Sequence, residues 1–180
     1  PQLAETVTLP QEFVAARFYA RQTFQGGHKH VYQFIEAVLN TVQQELDVIL
    51  MDTDFALDDH RDLTRQIGGT RIRHLTDLVP MLPDTNLAVM SSVLAKARGF
   101  IGTYGGFAQL ALRVGVPSVS FYDDWGGTSV AHADMAHTIA IRSGVPAHVL
   151  RIRDIPMLNT ILPETTVTQA KKSPLALTTA

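Results

Sequence analysis

Cysteine is absent from all 180 residues. That excludes disulfides and zinc–thiolate centres, and it fits a reducing compartment; a cytoplasmic location is expected. No apolar stretch approaches the ~20 residues needed to cross a bilayer, and no secretory leader is visible. A dominant charge is missing too. The 15 Lys and Arg nearly balance the 17 Asp and Glu, leaving a formal −2 at pH 7, so no global field draws the chain to nucleic acid or to an anionic membrane. The histidines at 28, 30, 60, 74, 132, 137 and 148 form no helical metal pair; two ligands on one helix face sit three or four residues apart, and His132 and His137 are five apart. No Gly-Lys-Ser/Thr marks a Walker loop, and the glycine spacing is not that of the dinucleotide fingerprint. The chain opens Pro1-Gln2-Leu3 without methionine and is expected to be a piece of a longer protein.

What is present is an alternation of strand and helix patterns. Phe13–Tyr19 reads as a first strand, followed by a turn at Gln25-Gly26-Gly27. His28–Leu46 carries Val31, Phe34, Ile35, Val38, Leu39 and Val42 at helical spacing. Asp47–Met51 is an apolar, branched run suited to a strand buried on both faces. Asp58–Ile67 reads as a helix stopped by Gly68-Gly69, and Thr70–Leu75 as a more polar strand. Thr85 is placed to cap a helix with Leu87, Met90, Leu94 and Ala97 on one side, ending near Gly99. Phe100–Thr103 is a strand. Gly106–Val114 is a helix stopped by Gly115 and Pro117, and Ser118–Tyr122 is a strand. Ser129–Arg142 reads as helix, Ala147–Ile152 as a last strand, and Ile155–Leu162 as a last helical turn. Such alternation with short loops predicts an α/β fold: a doubly wound, Rossmann-like parallel sheet with helices on both faces. It spans residues 1–163, with a loose Thr-, Ala-, Lys- and Pro-rich tail over 164–180.

Ligands of such sheets sit beyond the carboxyl ends of the strands. The strongest local signal there is the turn Thr103-Tyr104-Gly105-Gly106-Phe107. Glycines at a helix start bare backbone N–H groups that carry partial positive charge, so the turn reads as a diphosphate cradle. The same pair also suits a tight strand-to-helix turn that needs glycine only for close packing.

The block Asn86–Tyr122, with its small-residue turn, its Leu110-Ala111 and its Val114-Gly115-Val116-Pro117 step into an apolar strand, resembles the donor-binding half of glycosyltransferases with the GT-B fold. Within them it is most similar to the heptosyltransferase-like group, whose Asp-Thr-Gly-Pro-x-His-Leu-Ala pattern has Tyr104, Gly105 and Gln109 here for its Asp, Thr and His. The resemblance implies a nucleotide-sugar donor bound in this chain without metal or cofactor. It also implies an acceptor domain, and with it the general base, outside the chain on its N-terminal side. It places Arg17 and Arg21, by position after the first strand, on the donor diphosphate, where guanidinium forks suit phosphate oxygens. Arg73, His74, Leu75, Gln109 and Asp123 would meet the nucleoside, with Asp123 or Asp124 at the ribose. This piece alone is expected to bind donor and to transfer little or no sugar.

Two readings from other classes stand beside it. Asp52-Thr53-Asp54-Phe55-Ala56-Leu57-Asp58-Asp59 resembles the acidic signature of nucleoside hydrolases, with Phe55-Ala56 for Pro-Gly. Asp52, Asp54 and Asp59 would then hold a divalent cation through oxygen ligands, and a phosphatase could use the same cluster. The run is equally an acidic loop that caps the next helix. The other reading is a non-catalytic interaction domain that keeps the fold without the site. Trp125 fits a stacking lid or a loop anchor.

Overall fold

A computed structural model describes residues 8–20, 24, 29–53, 61–123 and 130–155. Six parallel strands form one sheet: β1 (Phe13–Arg17), β3 (Asp47–Leu50), β5 (Ile72–His74), β6 (Gly99–Thr103), β7 (Ser118–Tyr122) and β8 (Ala147–Arg151). Their order is β5-β3-β1-β6-β7-β8. The sheet therefore grows outward in both directions from β1 and β6, and the strand order reverses between them. In an open sheet of this kind, that reversal opens a crevice at the carboxyl ends of the two central strands. The α/β doubly wound architecture expected from the sequence is present.

Alternation along β1 sends Phe13 and Ala15 to one face, Ala16 and the following Phe18 to the other. Helix α1 (Lys29–Val42) covers the second face with Val31, Ile35 and Leu39, all fully buried. Each such side chain contributes about 1.5–3 kcal/mol by leaving water. The rings of Phe34 and Phe121 meet edge-on there, with centroids 4.8 Å apart. The first face carries α2 (Leu75–Leu78), α3 (Asn86–Leu94), α4 (Gly106–Arg113) and α5 (Val130–Ser143), which bring Leu75, Met90, Val93, Leu94, Ala108, Ala111 and Ala136 to the core. Gly115 stops α4 in the left-handed region at φ 82°, the conformation glycine adopts without a steric penalty.

Three local expectations are corrected. The described part of the helix expected over 58–67 is instead β4 (Arg61–Asp62), a bend and a turn; β4 pairs antiparallel with β2 (Tyr19–Ala20). Thr85 is helical in its backbone and makes no side-chain cap. Helix α3 instead buries Asn86, whose Nδ2 donates to the Pro83 carbonyl, and turns Leu87 outward at 60% exposure. The strand expected to run on to Tyr19 breaks at Phe18, after which the chain leaves the main sheet for the β2–β4 ribbon. The expected helical turn after Ile155 and the tail lie outside the described residues.

Candidate functional site

The turn predicted as a phosphate cradle lies at the sheet's reversal. Arg17 ends β1 directly opposite Gly102 of β6, and the chain then runs through Thr103 and Tyr104 into α4. Two groups of the turn are already used by the fold. The Tyr104 amide donates to the Phe121 carbonyl at 2.8 Å, and the Thr103 hydroxyl donates to the Tyr19 carbonyl while accepting from the Tyr19 amide, both at 3.1 Å. Thr103 thus replaces a strand partner at the point where β1 peels away. Gly105 is buried and caps α4 without any side-chain hydrogen bond; exposure begins at Gly106. The first amides of a helix have no partner inside it. Gly106 is exposed, and a Cβ built there meets nothing within 4 Å.

Arg17 points to the α4 side of the sheet, the side of Phe13 and Ala15. Its guanidinium carbon lies 4.7 Å from the ring centroid of Phe107, the second residue of α4, and 5.4 Å from that of Tyr19. Cation–π attraction holds it between the two rings. The side chain is only 9% exposed, and its Nε lies 3.5 Å from Oδ1 of Asp62. Neither atom makes a hydrogen bond among the described residues. The other Asp62 oxygen, Oδ2, accepts from the Thr53 amide at 2.8 Å and from the Thr53 hydroxyl at 3.1 Å. Burial is the largest influence on the Asp62 carboxyl and pushes its pKa up; the Thr53 bonds and the Arg17 charge act against this, and the Asp52 charge adds to it. Arg21 lies outside the described residues.

A second polar cluster adjoins this one. Asp52, 2% exposed, follows β3. Its Oδ1 accepts from the Thr64 hydroxyl, and its Oδ2 lies 3.2 Å from His74 Nδ1. His74 Nε2 lies 2.9 Å from the Ile67 carbonyl. Both ring nitrogens thus face acceptors, which favours the doubly protonated imidazolium. The His74 pKa is raised, first by the hydrogen bond to Asp52; burial opposes this, and the Ile67 carbonyl and the charges of Asp52 and Asp77 add to it. A raised folded-state pKa contributes stability that is full below the ordinary imidazole value of 6.5 and is lost as pH rises through the folded value. Melting temperature should therefore fall as pH climbs above the ordinary imidazole value of 6.5. His74→Gln should flatten that part of the curve, as thermal denaturation across pH would read.

Of the other expected nucleoside contacts, Leu75 is fully buried in the core, Arg73 is exposed on the edge strand β5, and Gln109 is half-buried on α4. Asp123, at the end of β7, is buried and accepts from Arg153 Nε at 2.9 Å, with His30 of α1 3.9 Å away. Arg17 and the turn therefore meet at the reversal, while Arg73 and His74 stand two strands away and Asp123 is held from the β8 side. Asp54, Asp59, Asp124 and Trp125 lie outside the described residues. Among the described residues no group of three or more His, Asp or Glu is arranged to hold a metal ion, and both oxygens of Asp52 have protein partners. Sequence reasoning missed Asp62, Thr64 and Tyr19. No local signal marks them, because each gains its place from a partner in a distant segment. No protein family matches the chain, and no curated protein matches it at a significant level. No helix among the described residues is long and apolar enough to cross a membrane.

Proposed function

We propose that this chain is the donor-binding domain of a GT-B-type glycosyltransferase, holding the diphosphate of a nucleotide sugar at the start of α4. The observation that carries the reading is the position of Arg17. A buried guanidinium whose Nε is unbonded among the described residues stands against Phe107 of α4, across the crevice where the strand order reverses. Open helix amides and a nearby guanidinium are the two kinds of donor that phosphate oxygens use best. Such a site would stabilise the charge that builds on a departing nucleoside diphosphate. The acceptor site and the general base belong to a partner domain outside this chain. No cofactor is required by this chemistry.

Gly106 offers a clean test. A side chain there has room in the free protein, and replacing a helical glycine is neutral to favourable by roughly 0.5–1 kcal/mol. Gly106→Val should therefore melt no lower than the parent chain and at most about 4 °C above it, yet lose the ligand response because its methyls occupy the phosphate position. The readout is thermal shift against UDP, GDP, ADP, dTDP and CMP, with and without divalent cation. A rise for one diphosphate that disappears in Gly106→Val supports the reading. A rise with Ca²⁺ or Mg²⁺ alone would instead favour a hydrolase built around Asp52. No response in any arm would favour a non-catalytic interaction domain.

A further inference from the structure

Asp62 has no part in the donor site as proposed, yet it faces that site's only described guanidinium. It reaches Arg17 because β4 folds back onto β2, pairing Asp62 with Tyr19. Its Oδ2 is held by the amide and hydroxyl of Thr53, so the carboxylate cannot swing toward Arg17 to form a paired, bidentate bridge. What remains is a 3.5 Å approach of Oδ1 to Nε, and neither atom has a hydrogen bond among the described residues. A buried ion pair of this quality repays little of the desolvation of its members. An anion at the α4 start would compete for the same guanidinium and would bring further negative charge toward Asp62.

We propose that Asp62 is a displaceable counter-ion of Arg17: an anion bound at the start of α4 takes over the guanidinium, and Asp62 then accepts a proton from solvent on Oδ1. This rests on the anion-binding reading above and adds its regulation. The surroundings of Asp62 favour the neutral acid once Arg17 is engaged elsewhere. Arg17 faces it from β1. Asp52 acts on it from the end of β3 and itself holds His74 of β5. Arg61 neighbours it on β4. Glu36 of α1 and Arg65 of the following turn line the same cleft of about 470 Å³, into which Asp62 also opens. With its strongest cationic neighbour shared, burial and the Asp52 charge both push Asp62 toward protonation. Anion binding should then weaken as pH rises, over and above any ionisation of the anion itself.

The test is calorimetric titration of the full chain with inorganic pyrophosphate in buffers of different protonation heat, for the parent chain and for Asp62→Asn. Asparagine keeps an oxygen for the Thr53 donors and loses the charge. Ionisation of the ligand is common to both proteins and cancels in their ratio. The parent's dissociation constant divided by that of Asp62→Asn should rise from near unity at about pH 5 to about tenfold at about pH 8, the limit of one linked proton over that range being larger. The parent should also take up more protons per pyrophosphate than the variant. A ratio that is flat across pH, or weaker binding by Asp62→Asn at every pH, would make Asp62 a merely structural partner and overturn the inference while leaving the anion site standing. No pyrophosphate binding by the parent chain would overturn both. Should Asp62→Asn fail to fold, sulfate replaces pyrophosphate with the parent alone. Sulfate takes up no proton in this range, so proton uptake on its binding supports the inference and its absence overturns it.

Discussion

Gly102→Val should be the most damaging single substitution in the described part of this chain. Any side chain at 102 places its Cβ on the carbonyl oxygen of Arg17, within 2.9 Å of that residue's carbonyl carbon and 3.1 Å of Phe100 Cζ. The first two obstacles are backbone of the adjoining central strand, which cannot rotate aside as a side chain can. Relief requires β1 and β6 to separate where they are hydrogen-bonded in register. Overpacking of a core typically costs about 1–3 kcal/mol and exceeds that where the neighbours cannot give. A loss of about 3 kcal/mol or more is expected, with a fall in melting temperature of roughly 6–12 °C for a domain of this size. Gly102→Ala already meets the same oxygen, so it should lose most of the same stability. Urea denaturation of both variants would check this, and a loss below about 1 kcal/mol in each would show that the strands have more freedom than their spacing implies.

Asp52→Ala is expected to come second. The substitution strands the Thr64 hydroxyl and the His74 ring together, since each bonds to its own oxygen of Asp52. Removing one member of a buried pair costs about 3–5 kcal/mol when the other cannot reach water. His74 keeps 20% of its side chain exposed, so solvent recovers part of this, and about 2–3 kcal/mol is the expected loss. Two signatures distinguish it from a simple cavity. The fall of melting temperature with rising pH attributed to His74 should shrink, because its largest cause is gone. Asp52→Asn should recover part of the loss by keeping an acceptor for Thr64. As a contrast, Arg71→Ala removes the partner of Asp47 from a pair whose side chains are 39% and 27% exposed. That pair should contribute less than about 1 kcal/mol.

The frame was legible where a residue's fate is decided by its near neighbours. Val48, Ile49 and Leu50 form a branched apolar run with room on neither side for water, and they are a buried strand. Gly115 and Pro117 end α4 through their own backbone limits. Ser118–Tyr122 begins and ends where its alternation says. Failures came where distant segments decide. Leu87 matched a helical stripe with Met90 and Leu94; those two are buried, but the core also takes Asn86 and Val93 and leaves Leu87 outside. The stretch around Asp62 has helix-like spacing, yet pairing with Tyr19 and the bonds from Thr53 draw it out straight. At the candidate site, Arg17 and the glycine turn were singled out because strand ends and helix starts announce themselves, and the fold places them side by side. Asp52 was also singled out, as a metal ligand, whereas its bonds in the fold go to Thr64 and His74.

The bareness of Gly102 has a consequence beyond its own stability. Phe100, Ile101, Thr103 and Tyr104 all carry a Cβ, so sliding β6 by one or two places along β1 would drive a side chain into the carbonyl that Gly102 admits. Of those alignments, the observed one alone leaves that carbonyl clear. That alignment is what sets the tip of β1 level with the mouth of α4. A missing methyl group in the middle of the sheet thus gauges the distance across which an anion would have to be clasped.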